Sequence, residues 1–188
     1  MTEHVLRSDI WLQQPPELVF PFFAQATNLG AITPPWLHFR ILTPLPIRMA
    51  KGTLIEYRIR LHGVPMRWRT LISDWNPPHL FVDEQIRGPY RLWHHTHTFT
   101  AEAGGTKCTD VVRYAAPGGR VVHDWFVRPR LDAIFAYRRE AILRRLGGQG
   151  VPSVASGNDA MNDSHSAPAS VMSSRSLAIA ASAAPGVE

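Results

Sequence analysis

From Gly52 to Ala115 the chain repeats one device: short runs in which apolar and polar residues alternate, each closed by glycine or proline. Ile55, Tyr57, Ile59 and Leu61 alternate with Glu56, Arg58, Arg60 and His62, and Met66, Trp68, Thr70 and Ile72 follow with Arg67 and Arg69 between them. A period of two sends successive side chains to opposite faces of an extended strand, which is the pattern of an antiparallel sheet with one dry face. His62–Pro65, Asn76-Pro77-Pro78, Gly88-Pro89 and Gly104-Gly105 supply the turns, and Leu80–Arg87, Arg91–Ala101 and Thr106–Ala115 are the third to fifth runs. Connections this short predict a meander of five strands.

The flanks complete the plan. His4–Leu12 reads as a further strand, and Pro15-Pro16 then suits the first turn of a helix, where a missing amide hydrogen costs nothing. Glu17 complements the positive end of that helix, and Leu18, Val19, Phe22 and Phe23 give it an apolar stripe. Pro21 is expected to kink or shorten it, and a second short helical piece is expected over Gln25–Gly30. The adjacent Pro34 and Pro35 exclude helix there and leave Trp36 and Leu37 on a stiff loop. After Pro117-Gly118-Gly119 the period turns helical, with Leu131, Ile134, Phe135, Arg138, Ile142 and Leu146 on one face. Pro129 is expected to break a helix running on from Val121, so the main helix should start near Arg128. The fold class is therefore α+β: a curved antiparallel β-sheet wrapped around a long C-terminal helix, with two short helices after the first strand. The gap between sheet and helix is the natural place for a ligand.

Burial capacity is unevenly distributed. All 18 aromatic residues precede residue 147, whereas the last 42 residues hold 9 Ser, 9 Ala, 5 Gly and 3 Pro and no aromatic. Such a segment cannot bury enough surface to offset the entropy of ordering it, so a domain over 1–146 and a disordered tail over 147–188 are expected. The net charge of +5 divides accordingly: the tail sets Asp159, Asp163 and Glu188 against Arg175, which is −2, and leaves the body at +7. Of the 20 basic residues 18 are arginine, but they are spread over strands and helix ends outside any recognised nucleic-acid motif, so no nucleic-acid partner is expected. With Cys108 alone there is no intrachain disulfide. The start MTEHVLRSDIW lacks the apolar stretch of a signal peptide, and no window approaches the ~18 apolar residues of a membrane span. A cytoplasmic protein without stable membrane insertion is expected.

The strings PPELVFPFF, NLGAITPPWLHFRILTP, KGTLIEYRIRLHGVPMRWRT, FVDEQIRGPYRLWHHTHTF and YRREAILRRL carry a resemblance. The chain resembles the helix-grip fold of the START-like, or SRPBCC, superfamily over about residues 3–146, and within it a bacterial polyketide cyclase/dehydrase-like branch. The resemblance implies a ligand cavity between sheet and C-terminal helix. Some relatives are labelled cell-division inhibitors through fusion to a nucleoside-diphosphate-sugar epimerase-like domain. No Gly-rich strand-turn-helix phosphate loop of that kind occurs here.

Chemistry concentrates in Trp93-His94-His95-Thr96-His97. On a strand, Trp93, His95, His97 and Phe99 share one face and His94 takes the other. Two imidazoles at that spacing suit a zinc ion only with a third ligand, for which His62, Asp83, Glu84 and His123 are candidates; with no closed motif, no metal and no cofactor are assigned. One histidine could instead serve as general acid or base with Asp83 orienting it, or both could simply hydrogen-bond across a polar strip. Asp83 and Glu84 are neighbours on a strand and face opposite sides, so only one can line the cavity. A register that sets Gln85 opposite Trp93 brings Asp83 opposite His95 and gathers Asp83, Gln85, Trp93, His95 and His97 on one lining. Tyr57 and Trp68 join as aromatic wall, with plain core as their other reading, and Trp36 as a lid over the mouth. Cys108 reads as inert packing. The leading expectation is binding of a small hydrophobic molecule (lipid, polyketide or isoprenoid-like) in that cavity. The alternative is a cyclase or dehydratase using His95, His97 and Asp83, and a third reading is an interaction module acting through the arginine-rich helix and tail.

Overall fold

The computed structural model describes residues 2–61 and 63–147. Residues 148–188 of the expected tail and His62 therefore lie outside the described residues. Strand β1 (His4–Leu12) leads into helix α1 (Pro16–Ala24), a short α2 (Asn28–Ala31) and a 3-10 turn (Pro35–Leu37). Then come β2 (Arg40–Ile41), β3 (Leu54–Leu61), β4 (Val64–Asn76), β5 (Leu80–Arg87), β6 (Leu92–Glu102) and β7 (Gly105–Ala115). These strands form one antiparallel sheet in the order β1-β7-β6-β5-β4-β3-β2, so the meander runs from one edge and β1 closes the other by pairing with β7. The five alternating runs appear as β3 to β7; β2, two residues long, carries too little pattern to be read beforehand.

Three local features depart from expectation, each for a backbone reason. Helix α1 runs through Pro21 to Ala24. Both Pro21 and Glu17, whose carbonyl loses its partner, are exposed, so water can satisfy that group. Pro35, Trp36 and Leu37 form a single 3-10 turn rather than a plain loop, with Pro35 at its start, where the missing N–H is harmless. The C-terminal helix starts at Gly119, well before Arg128: α3 (Gly119–Val122) passes through a π turn (His123–Val127) into α4 (Arg128–Leu146). In that turn the Arg128 N–H bonds the His123 carbonyl five residues back. One widened turn ahead of Pro129 relieves the clash that its ring would make in a regular helix, so the proline marks an irregularity without ending the helix.

The buried side chains do not form one continuous core. Ile10, Leu12, Val19, Phe20, Phe99, Cys108 and Ile142 close the end where α1 and the last turns of α4 meet the sheet. Val112, Tyr114, Leu131 and Phe135 form a second cluster with Tyr90 and Trp93, and Ile55 and Ile72 belong to a third. Cys108 and Val112 lie on the same face of β7 but in different clusters, and Asp110 sits between them. That seam is where the polar residues gather.

Candidate functional site: a buried charge cluster on the wall of an apolar cavity

The sheet and α4 leave a cavity of about 180 Å³ between them. Tyr57, Ile59 and Trp68 from β3 and β4 wall it on one side, and Leu131, Ile134 and Phe135 of α4 on the other. The Tyr57 and Trp68 rings stack at 5.8 Å between centroids, Trp93 meets Trp68 edge-on at 5.2 Å, and the Tyr57 hydroxyl lies 3.4 Å from Thr70 Oγ1. The Trp68 indole Nε1 is buried in this wall with no hydrogen-bond partner.

Asp83 pairs with His95 across β5 and β6, the register that puts Asp83 inward and Glu84 outward. Asp83, His95 and His97 line the cavity with Tyr57, Trp68 and Trp93. Glu84 takes the other face, 3.7 Å from His94. Two expected lining residues do not serve there. Gln85 folds back to close the β5–β6 turn: its Nε2 donates to the Tyr90 carbonyl (2.7 Å) and its Oε1 accepts from the Tyr90 N–H (3.3 Å). A turn containing Gly88-Pro89 leaves backbone groups to satisfy, and the Gln85 amide matches them. Trp36 is 43% exposed and packs edge-on against Tyr137 at 5.5 Å, because the tight 3-10 turn sends Leu37 inward and Trp36 out.

Two residues missing from the expected site complete it. Asp110 of β7 lies opposite His97 in the β6–β7 register, and Arg138 reaches in from α4. The His97 Nδ1–H donates to Asp110 Oδ1 at 2.5 Å and the Nε2–H to Asp83 Oδ2 at 2.9 Å. His95 lies against His97 at 3.8 Å between ring centroids, with Nδ1 3.4 Å from Asp83 Oδ2 and Nε2 3.4 Å from Asp110 Oδ1. Arg138 Nε stands 3.5 Å from Asp110 Oδ2, and Phe81 stacks on His97 at 4.1 Å. Two imidazoles are thus clamped between two carboxylates, with a guanidinium behind one of them.

The protonation states follow. Burial opposes a charged His97, but the Asp110 charge and hydrogen bond, joined by those of Asp83, outweigh it and raise the His97 pKa. Burial lowers that of His95, and the neighbouring His97 charge lowers it further. Burial would raise both carboxyls; the imidazoles and Arg138 prevail, so Asp83 lies below its usual range and Asp110 well below it. These directions favour a charged His97 and a neutral His95, the arrangement in which His97 and Arg138 balance Asp83 and Asp110.

Of the third metal ligands considered, Asp83 alone among the described residues is in place: its carboxylate and the nitrogens of His95 and His97 lie within 4.8 Å of one another. These three could hold an ion. Both nitrogens of His97 are already engaged by carboxylates, however, and the set is charge-balanced as it stands. His123 is occupied elsewhere, 3.0 Å from the Tyr114 hydroxyl and stacked on His4. Cys108 is packed in the core, and burial pushes its thiol up.

A signal for Asp110 existed in the sequence, since it is the one charge on a face whose neighbours, Cys108 and Val112, are apolar. Arg138 likewise interrupts an otherwise apolar helix face. Each alone is unremarkable, and only the register brings both to His97.

Comparison with known proteins agrees with this architecture. Residues 12–142 match the family model described as polyketide cyclase/dehydrase and lipid transport. Among solved structures, the Zhui aromatase/cyclase from Streptomyces sp. R1128 superposes with a TM-score of 0.62 at 12% identity, over 78% of this chain and 94% of that one. A major latex-like protein 151 from Panax ginseng gives 0.56 at 10% identity, over 78% and 99%. A nucleoside-diphosphate sugar epimerase from Corynebacterium glutamicum gives 0.55 at 20% identity, over 76% of this chain but 29% of that one. The comparison with curated proteins found no match.

Proposed function

The chain belongs to the polyketide cyclase/dehydrase and lipid transport family, and from that premise we propose that it binds one small, largely apolar molecule bearing an oxygen acceptor such as a carbonyl or hydroxyl. The carrying observation is the partnerless Trp68 Nε1–H in an otherwise apolar wall, on the same cavity as the charge cluster. A buried donor without an acceptor costs about 1–3 kcal/mol, which a ligand oxygen would recover. Size narrows the class. About 180 Å³ is close to the ~150 Å³ that holds a benzene ring, so one substituted ring or a short chain fits. Tyr57, Trp68 and Trp93 supply the apolar contact, and the cluster of His95, His97 and Asp83 supplies polarity at one side.

A thermal-shift and native mass-spectrometry screen against lipids, aromatic polyketides and isoprenoids tests this. Compact monocyclic ketones and phenols should stabilise the protein, and Trp68→Phe should weaken them about fivefold, the value of one hydrogen bond, while leaving pure hydrocarbons unaffected. Equal loss for hydrocarbons, or no stabilising compound of that size, would overturn the reading.

A second reading is a cyclase or dehydratase, favoured by one observation: two imidazoles in contact whose surroundings push their proton affinities in opposite directions. Neutral His95 would take a proton alpha to a carbonyl, charged His97 would supply one to the departing or forming hydroxyl, and Asp83 would hold both rings. Once a turned-over substrate is identified, His95→Ala and His97→Ala should each lower kcat at least a hundredfold. Unchanged turnover would rule the mechanism out.

A further inference from the structure

Strand register brings together arginines that lie far apart in the chain. Arg40 pairs with Arg58, and Arg58 with Arg67, so three arginines stand in one row across β2, β3 and β4, within about 10 Å. The adjoining positions add Arg60 beside that row, and Arg69 opposite Arg87. All six share the outer side of the sheet, since the alternate positions Tyr57, Ile59 and Trp68 face the cavity. Like charges directly opposite each other on a sheet are destabilising, so this arrangement opposes folding rather than serving it.

The acidic groups on that side of β2–β5 leave most of the charge uncompensated. Glu56 is held by Arg69, Asp74 lies 3.9 Å from Lys51, and Glu84 lies beside His94. Arg40, Arg58, Arg60, Arg67 and Arg87 are exposed and have no ion pair among the described residues. The helix arginines differ: Arg120, Arg128 and Arg144 each face an acid one turn away, and Arg138 faces Asp110. Arg130 and Arg145 of α4 also lack an ion pair among the described residues, so the sheet, with five such arginines, holds the larger share of the unpaired basic surface.

We propose that this arginine face of β2–β5 docks the protein on an anionic lipid surface. Two observations select lipid over nucleic acid. Leu42 and Leu54 stand on the same side as the arginines, and Ile86 (51% exposed) projects from the bulge beside Arg87. Exposed aliphatic groups among cations suit the boundary of a bilayer, where they enter the headgroup layer while arginines meet phosphates. No aromatic residue lies on the outer side of β2 and β3 or beside Arg67 and Arg69, so there is no platform on which bases could stack. The same strands that carry the arginines wall the cavity on their inner side. Docking would be peripheral, and it stands on the charge arrangement independently of what the cavity holds.

Co-sedimentation of the full chain with phosphatidylcholine vesicles, with and without phosphatidylglycerol, is the test. Binding is expected only with phosphatidylglycerol and should weaken steeply as salt rises from ~0.05 M to ~0.5 M. The double variant Arg58→Gln/Arg67→Gln should bind about 25-fold more weakly, near fivefold for each arginine, and Arg58→Lys/Arg67→Lys should restore most of it. Circular dichroism should show both variants folded. Undiminished binding by the glutamine variant, equal binding to neutral vesicles, or tighter binding to a duplex DNA or RNA oligonucleotide than to the vesicles would each overturn the proposal.

Discussion

His97 owes its charge to neighbours that arrive on different strands, and this makes the cluster sensitive to pH on both sides. A histidine whose folded pKa is raised stabilises fully below its unfolded value of 6.5 and loses that contribution as pH climbs through the folded pKa. His95 behaves oppositely: with its folded pKa lowered, stability is present above 6.5 and lost as pH falls. The pair therefore predicts a stability maximum near pH 6.5, visible in urea unfolding measured across pH. His97→Gln should flatten the alkaline limb and His95→Gln the acid limb above pH 5, where Asp83 and Asp110 are still ionised. Asp110→Asn should be the severest change. It leaves His97 and Arg138 short of one carboxylate in a buried place, and breaking such a pair costs roughly 3–5 kcal/mol. It should also flatten the alkaline limb, since Asp110 is the largest influence raising His97.

Turns and termini decide how the elements meet, and the Gly104-Gly105 hairpin separates two reasons for glycine. Gly104 has φ +76° with open space around it, so alanine there meets only the left-handed backbone penalty, about 1 kcal/mol. Gly105 has an ordinary φ, but a Cβ would overlap the Leu12 carbonyl oxygen and come within 2.6 Å of the Trp11 ring. Gly105→Ala must push β1 off β7 where Leu12 pairs with Thr106. Thermal unfolding should show it less stable than Gly104→Ala by at least ~1 kcal/mol. Both glycines were legible as a turn, yet nothing in the sequence told them apart, because the obstacle lies some ninety residues away. The π turn is similar: Pro129 announced an irregularity, but whether it ended the helix or widened it depended on packing that holds Leu131 and Phe135 in the second core cluster.

Across the whole molecule, the inner and outer sides of one sheet both carry unresolved demand. Inside, a donor lacks an acceptor; outside, arginines lack anions. If the outer charges are kept at the expense of stability, Arg58→Gln/Arg67→Gln should raise the melting temperature at low salt, and the gain should vanish near ~0.5 M salt. Local alternation, turn residues and the aromatic distribution determined by themselves that this chain makes a curved antiparallel sheet around a long helix, since strand period and helix period are properties of neighbours in sequence. They also placed His95 and His97 inward, and the expected pairing of Asp83 with His95 is the one observed. Tertiary structure alone decided that Gln85 turns back to Tyr90, that Trp36 faces Tyr137, that Asp110 and Arg138 complete the cluster, and that Arg40, Arg58 and Arg67 stand in one row. Each of these depends on which residues of distant segments come within about 5 Å of each other, a distance set by strand register and helix packing and carried by no local pattern.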